Sequence, residues 1–133
     1  LARAMRTDKL TLAGLQAVAF SYLSGDATAI PLWRMATAPL DGLRTRAESI
    51  AAAVPAAKVV DTEAVAGGGS LPGSTIPSVG VGIEVEAAAR ALAHLREHDV
   101  VARIEDDAVL CDLRTVDPVD DERVARALAA VSG

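Results

Sequence analysis

The chain has 133 residues, enough for one domain or for a small domain carrying a helical extension. With 51% hydrophobic and 23% charged residues it is globular in composition and able to bury a core. A net charge of −5 argues against a general nucleic-acid-binding surface, the single Cys111 excludes an intramolecular disulfide or a cysteine-based zinc site, and no apolar run reaches the ~18 residues of a membrane span. Phe20, Tyr22 and Trp33 are the only aromatics, so the core must be built from Ala, Val, Leu and Ile.

The chain opens Leu1-Ala-Arg-Ala-Met-Arg, already in a helical pattern, with neither an initiator Met nor a signal peptide, and is expected to be a piece of a longer protein. Residues 1–24 read as helix broken near Thr7-Asp8, either of which can cap a new helix from Lys9. Leu12, Leu15, Ala19 and Leu23 then form one apolar stripe suited to packing. Arg3 and Arg6, three apart, share a face if their segment is helical, and by pattern alone that face is solvated. Ser24-Gly25-Asp26 ends this arm, and Pro31 suits the first position of a short segment over Ile30–Met35. A further helix is predicted from Pro39 to Ala53, with Leu40, Leu43, Ala47, Ile50 and Val54 as its stripe and Pro55 as its stop.

Residues 58–65 have the β-branched content of a strand. Ala66-Gly-Gly-Gly-Ser-Leu-Pro-Gly73 follows, either a plain turn between strands or a loop whose backbone something else approaches. Val79, Val81, Ile83 and Val85 next alternate with Ser78, Gly80, Gly82 and Glu84, a strand with one packed and one nearly bare face. Residues 86–97 read as helix burying Ala88, Leu92 and Leu95. An Asp106-Asp107 turn would pair Ile104 with Val109, Ala102 with Cys111 and Val100 with Leu113, leaving Val101, Arg103, Leu110, Asp112 and Arg114 on the opposite face. Asp117 and Pro118 read as N-cap and first residue of a last helix packing through Val124, Leu128 and Val131. The order implies an α+β fold, a mainly antiparallel sheet of about four strands with helices on one face, preceded by a helical arm. The division expected is residues 1–38 for the arm and 39–133 for the α+β domain.

Self-contained chemistry is scarce. The sequence has no glycine-rich dinucleotide fingerprint, P-loop, nucleophile elbow or His-Glu-x-x-His. Ser70 follows three glycines but has no histidine base placed by its context. Glu105, Asp106 and Asp107 could hold Mg²⁺ or act as acid and base, yet a turn is their simpler role. Lys9 has no phosphate cup around it for a Schiff-base cofactor, and His94 and His98 lack an acidic partner that would make them a metal pair.

Four blocks carry a resemblance: Leu1-Ala-Arg-Ala-Met-Arg-Thr-Asp-Lys-Leu-Thr-Leu, Ile30-Pro-Leu-Trp-Arg-Met, Ala66-Gly-Gly-Gly-Ser-Leu-Pro, and Ala102-Arg-Ile-Glu-Asp-Asp with Asp112-Leu-Arg-Thr-Val116. In this order and spacing the chain resembles the C-terminal portion of the bacterial selenocysteine synthases, the L-seryl-tRNA(Sec) selenium transferases, over nearly its whole length. The resemblance implies a cytoplasmic fold-type I pyridoxal-phosphate enzyme that assembles as a ring of dimers. Its reaction replaces the seryl hydroxyl on seryl-tRNA(Sec) with selenium from selenophosphate. The cofactor lysine would precede Leu1, and this chain would hold the small C-terminal α+β domain, inactive by itself and without bound cofactor. Arg3 and Arg6 match the family's anion-binding arginines and become the selenophosphate candidates, because guanidinium forks suit compact oxyanions. Arg103 and Ser70 are weaker site candidates: related small domains bind a substrate carboxylate with an arginine, but here that carboxylate is esterified to tRNA. Two alternatives stand beside this reading, a related pyridoxal-phosphate lyase acting on a phosphorylated amino sugar or amino acid, and a non-catalytic α+β interaction module.

Overall fold

The computed structural model describes residues 7–67 and 73–132. The candidates Arg3, Arg6 and Ser70 lie outside the described residues. The chain divides into two compact units, Leu1–Thr37 and Ala38–Gly133.

In the first unit, Asp8 caps α1 (Lys9–Leu23) by accepting from the Thr11 amide at 2.8 Å, as the sequence predicts. Gly25, at φ 76°, ends that helix in a left-handed conformation. Asp26 caps a single 3₁₀ turn over Ala27–Ala29, and α2 (Pro31–Ala36) begins on its proline. The indole N–H of Trp33 donates to the Tyr22 hydroxyl. The expected packing stripe is not realised as a buried face: no residue of α1 is buried, and Leu15 and Leu23 are 59% and 86% exposed. Leu10, Ala13, Val18 and Phe20 make the other sides of the helix apolar too, so its sequence does not single out one face.

The second unit begins with α3 (Leu40–Ala53), in which Leu43, Ala47 and Ile50 are buried on the predicted stripe and Leu40 is exposed. Then follow β1 (Ala57–Val65), β2 (Thr75–Glu84), α4 (Ala88–Glu97), β3 (Arg103–Glu105), β4 (Ala108–Asp112) and α5 (Asp121–Val131). The strands form a four-stranded sheet in the order β1-β2-β4-β3, with each neighbouring pair antiparallel. This is the α+β architecture that the sequence implies.

Alternation in β2 and β4 decides where the core lies. Val79, Val81, Ile83, Val109 and Cys111 face one way and meet Leu43, Ala47 and Ile50 of α3, Ala91 and Leu95 of α4, and Val124, Ala127 and Leu128 of α5. Each fully buried Val, Leu or Ile contributes about 1.5–3 kcal/mol relative to exposure. No aromatic side chain takes part in this core. Arg46 ties α3 to the α5 end of the layer: it grips Asp121 and donates to the carbonyl oxygens of Leu113 and Val116 at 3.2 and 2.9 Å.

Two local expectations change. Ile104 pairs with Val109 as predicted, but the ladder ends at Arg103 opposite Leu110, so the pairs Ala102–Cys111 and Val100–Leu113 do not form. The Val100 amide is taken by the Leu95 carbonyl at the end of α4, where Asp99 turns left-handed at φ 59°, and Leu113 enters a 3₁₀ turn. Val100, Cys111 and Leu113 are nevertheless all buried. Asp117 and Pro118 do not open α5 directly either. They start a 3₁₀ turn over Pro118–Asp120, in which Asp117 accepts from the Val119 amide at 3.2 Å.

Candidate functional site

A connected polar constellation lies on the sheet face away from the helices. Strand alternation sends Thr62, Ser78, Arg103, Glu105, Leu110 and Asp112 there, and the ladder aligns them: Thr62 opposes Ser78, Gly80 opposes Asp112, and Arg103 opposes Leu110. Gly80 and Gly82 remove two side chains from the middle of this face. The sequence left open what comes close to those glycines. A Cβ on Gly80 would stand 2.5 Å from the Cys111 carbonyl oxygen, and one on Gly82 would stand 2.9 Å from Cγ2 of Val60. The close neighbours are therefore parts of the same sheet.

Arg103 occupies the centre of the constellation. Its Nε donates to Glu105 at 2.8 Å, and its Nη2 donates to the Thr62 hydroxyl at 2.6 Å and to the Glu63 carbonyl at 3.2 Å. Nη1 lies 3.5 Å from Oδ2 of Asp112. Thr62 passes the network on by donating to Glu105. Desolvation works against the Arg103 charge, but the Glu105 hydrogen bond and the charges of Glu105 and Asp112 outweigh it and hold the pKa above the ordinary arginine value. Asp112 is buried and collects donors from Ser78 Oγ at 2.5 Å and the Arg114 amide at 3.0 Å. Arg114 is also buried, and its guanidinium donates to the carbonyls of Ala38 at 3.0 Å and Pro77 at 2.6 Å. A guanidinium with two carboxylates of its own chain beside it is poorly placed to receive a further anion.

The other sequence candidates do not converge. Lys9 is the exposed first residue of α1; Lys58, which the sequence did not single out, is exposed and bonded to Glu84 at 2.7 Å. Neither stands in a desolvated pocket, so neither fits the attachment of a pyridoxal-phosphate cofactor. Asp106 and Asp107 form the hairpin turn at φ 49° and 62°, while Glu105 leaves them for Arg103 and Thr62. The rings of His94 and His98 meet edge to face with centroids 4.8 Å apart, and His94 Nδ1 lies 3.6 Å from Glu97. Among the described residues no group of three or more His, Cys, Asp or Glu could hold a metal ion. Glu84, Glu86, Arg90 and His94 line an open groove of about 610 Å³, in which the Lys58 hydrogen bond lowers the Glu84 pKa. Among these residues, too, no helix is long and apolar enough to cross a membrane.

The sequence placed Arg103, Leu110, Asp112 and Arg114 on one face but missed Thr62 and Ser78 as their partners. Their only sequence signal was alternation within β1 and β2, and it became informative once the strand order was known.

Comparison with known proteins gives a consistent result. A family model described as L-seryl-tRNA selenium transferase matches residues 1–117. A protein of Moorella thermoacetica named L-seryl-tRNA(Sec) selenium transferase is 38% identical over 96% of this chain and 30% of its own length. One of the same name from Caldanaerobacter subterraneus subsp. tengcongensis is 35% identical over 100% of this chain and 31% of its own. A third, from Aquifex aeolicus, is 35% identical over 96% and 30%. The chain thus spans about 30% of the length of the curated relatives it matches.

Proposed function

We propose that this chain, which belongs to the L-seryl-tRNA selenium transferase family, is the C-terminal part of a cytoplasmic, oligomeric enzyme that converts seryl-tRNA(Sec) to selenocysteinyl-tRNA(Sec) with selenophosphate as donor. The observation that carries the reading is the family match across residues 1–117. The four-stranded α+β unit agrees with the small domain that the resemblance implies. Pyridoxal phosphate, when bound in the full-length enzyme, withdraws electrons from the seryl group. Lys9 and Lys58 do not fit its attachment, and the part this reading gives the chain is to bind the donor. Arg3 and Arg6 hold the donor, a compact polyanion that two planar guanidinium forks can grip through paired hydrogen bonds.

The test uses the full-length protein containing this chain, with Arg3→Ala and Arg6→Ala variants and each half-reaction measured separately. A hydrogen bond to a charged group contributes roughly 1.5–3 kcal/mol, so each loss should weaken donor use at least about tenfold. Arg→Lys should restore only part of it, because an ammonium group has no fork. Loss of water from the seryl group does not involve the donor and should change less. If selenophosphate dependence is unchanged while water loss collapses, these arginines hold tRNA or the fold instead.

A further inference from the structure

We propose that Arg103, Asp112 and Arg114 form a clamp that fixes the spacing of the two strand stems flanking the glycine-rich connection, with Arg103 a positioning residue and not an anion receptor. The clamp grips two adjacent rungs of the β1–β2 ladder, Thr62–Ser78 and Glu63–Pro77, from both sides. On the β1 stem, Arg103 holds the Thr62 hydroxyl at 2.6 Å and the Glu63 carbonyl at 3.2 Å. On the β2 stem, Arg114 holds the Pro77 carbonyl at 2.6 Å and Asp112 accepts from Ser78 Oγ at 2.5 Å. Asp112 joins the halves, with Oδ1 accepting from the Arg114 amide and Oδ2 facing Arg103.

Pro77 has no N–H to give, so β2 lacks a backbone donor there. Gly80, opposite Asp112, puts no side chain on this face beside that carboxylate. Glu105 then fixes the guanidinium through Nε at 2.8 Å, which leaves Nη2 aimed at β1. The clamp rests on these hydrogen bonds. Its importance for turnover, as the device that fixes the spacing of β1 and β2 at these rungs, rests on the proposed selenium-transfer reading.

The experiment reads the clamp without turnover, so the two can fail separately. Amide hydrogen exchange is followed in the full-length protein containing this chain with Arg103→Gln, Arg103→Lys and Asp112→Asn, and inorganic phosphate is titrated into each. Loss of the Arg103 guanidinium's hydrogen bonds should speed exchange about tenfold or more at residues 62–66, 75, 76 and 78, with the amides of α3 and α5 unchanged and phosphate affinity unaltered. Arg103→Lys should remain loose, since one ammonium group cannot reproduce the fork. Asp112→Asn, which keeps an oxygen for Ser78 and the Arg114 amide, should loosen mainly the β1 stem. Unchanged exchange in all three variants, a rise shared equally with α3 and α5, full recovery with lysine, or lost phosphate binding in Arg103→Gln would each overturn the proposal.

Discussion

Arg46 of α3 and Asp121 at the start of α5 are joined by two hydrogen bonds, Nε to Oδ2 at 2.8 Å and Nη2 to Oδ1 at 2.6 Å. The pair is mostly buried, with side chains 18% and 25% exposed, and the same guanidinium also serves the carbonyls of Leu113 and Val116. Removing the arginine leaves a carboxylate and two carbonyls with poorer partners. Arg46→Ala should destabilise the domain by about 2–4 kcal/mol, and Arg46→Lys by less. Urea midpoints at a common m-value measure both; a loss below about 0.5 kcal/mol would reduce the pair to an ordinary surface contact.

Cys111 tests the sheet by chemistry. It is fully buried among the core strands, and desolvation pushes its thiol up from the usual 9.0 to about 11. Below pH 9 the folded and unfolded chains both keep this proton. Between pH 9 and about 11 the unfolded chain releases it while the folded chain does not, so stability falls as pH rises through that window. The protein should therefore lose stability relative to Cys111→Ala in that range and should resist thiol reagents at pH 8 until it unfolds. Rapid labelling under native conditions would mean that β4 sits one residue out of register.

Gly80 and Gly82 separate a backbone clash from a side-chain clash. A Cβ on Gly80 meets the Cys111 carbonyl oxygen at 2.5 Å, an atom that cannot move without the strand. At Gly82 the obstacle is Cγ2 of Val60 at 2.9 Å, which can turn aside. Gly80→Ala should cost about 2 kcal/mol or more, and Gly82→Ala about half of that or less. Equal thermal midpoints for the two variants would contradict this geometry.

The β3–β4 turn puts Asp106 and Asp107 at φ 49° and 62°, a left-handed pair suited to a two-residue hairpin. Asp107→Gly relieves that strain and should raise stability by about 0.5–1 kcal/mol. Asp107→Val should lower it by about 1–2 kcal/mol, because a β-branched residue resists this conformation. The thermal midpoints of the two variants should move in opposite directions.

Local signals were legible where one residue constrains its neighbours. Asp8 capping α1, Pro31 opening α2, the Leu43-Ala47-Ile50 stripe of α3, and Ile104 opposite Val109 across the Asp106-Asp107 turn all follow from short-range sterics and period. Such preferences act within a few residues, so the chain order already contains them. The alternation of valines with glycines in β2 likewise marked which side would be packed.

Partnerships between polar side chains needed the fold itself. Arg46 and Asp121 are 75 residues apart, and Arg103 and Thr62 are 41 apart. Neither pair belongs to a repeating pattern, since one charged residue on a polar face looks like any other. The order β1-β2-β4-β3 brings Thr62, Ser78 and Asp112 onto one face, and the arginine fork of Arg103 then selects among the oxygens within its reach. Amino-acid order determined most of the elements, the packed faces of α3 and β2 and the Asp106-Asp107 turn, because those depend on local backbone preference and hydrophobic period. Tertiary structure alone decided which charges meet, because that depends on strand order and on where a long side chain can reach.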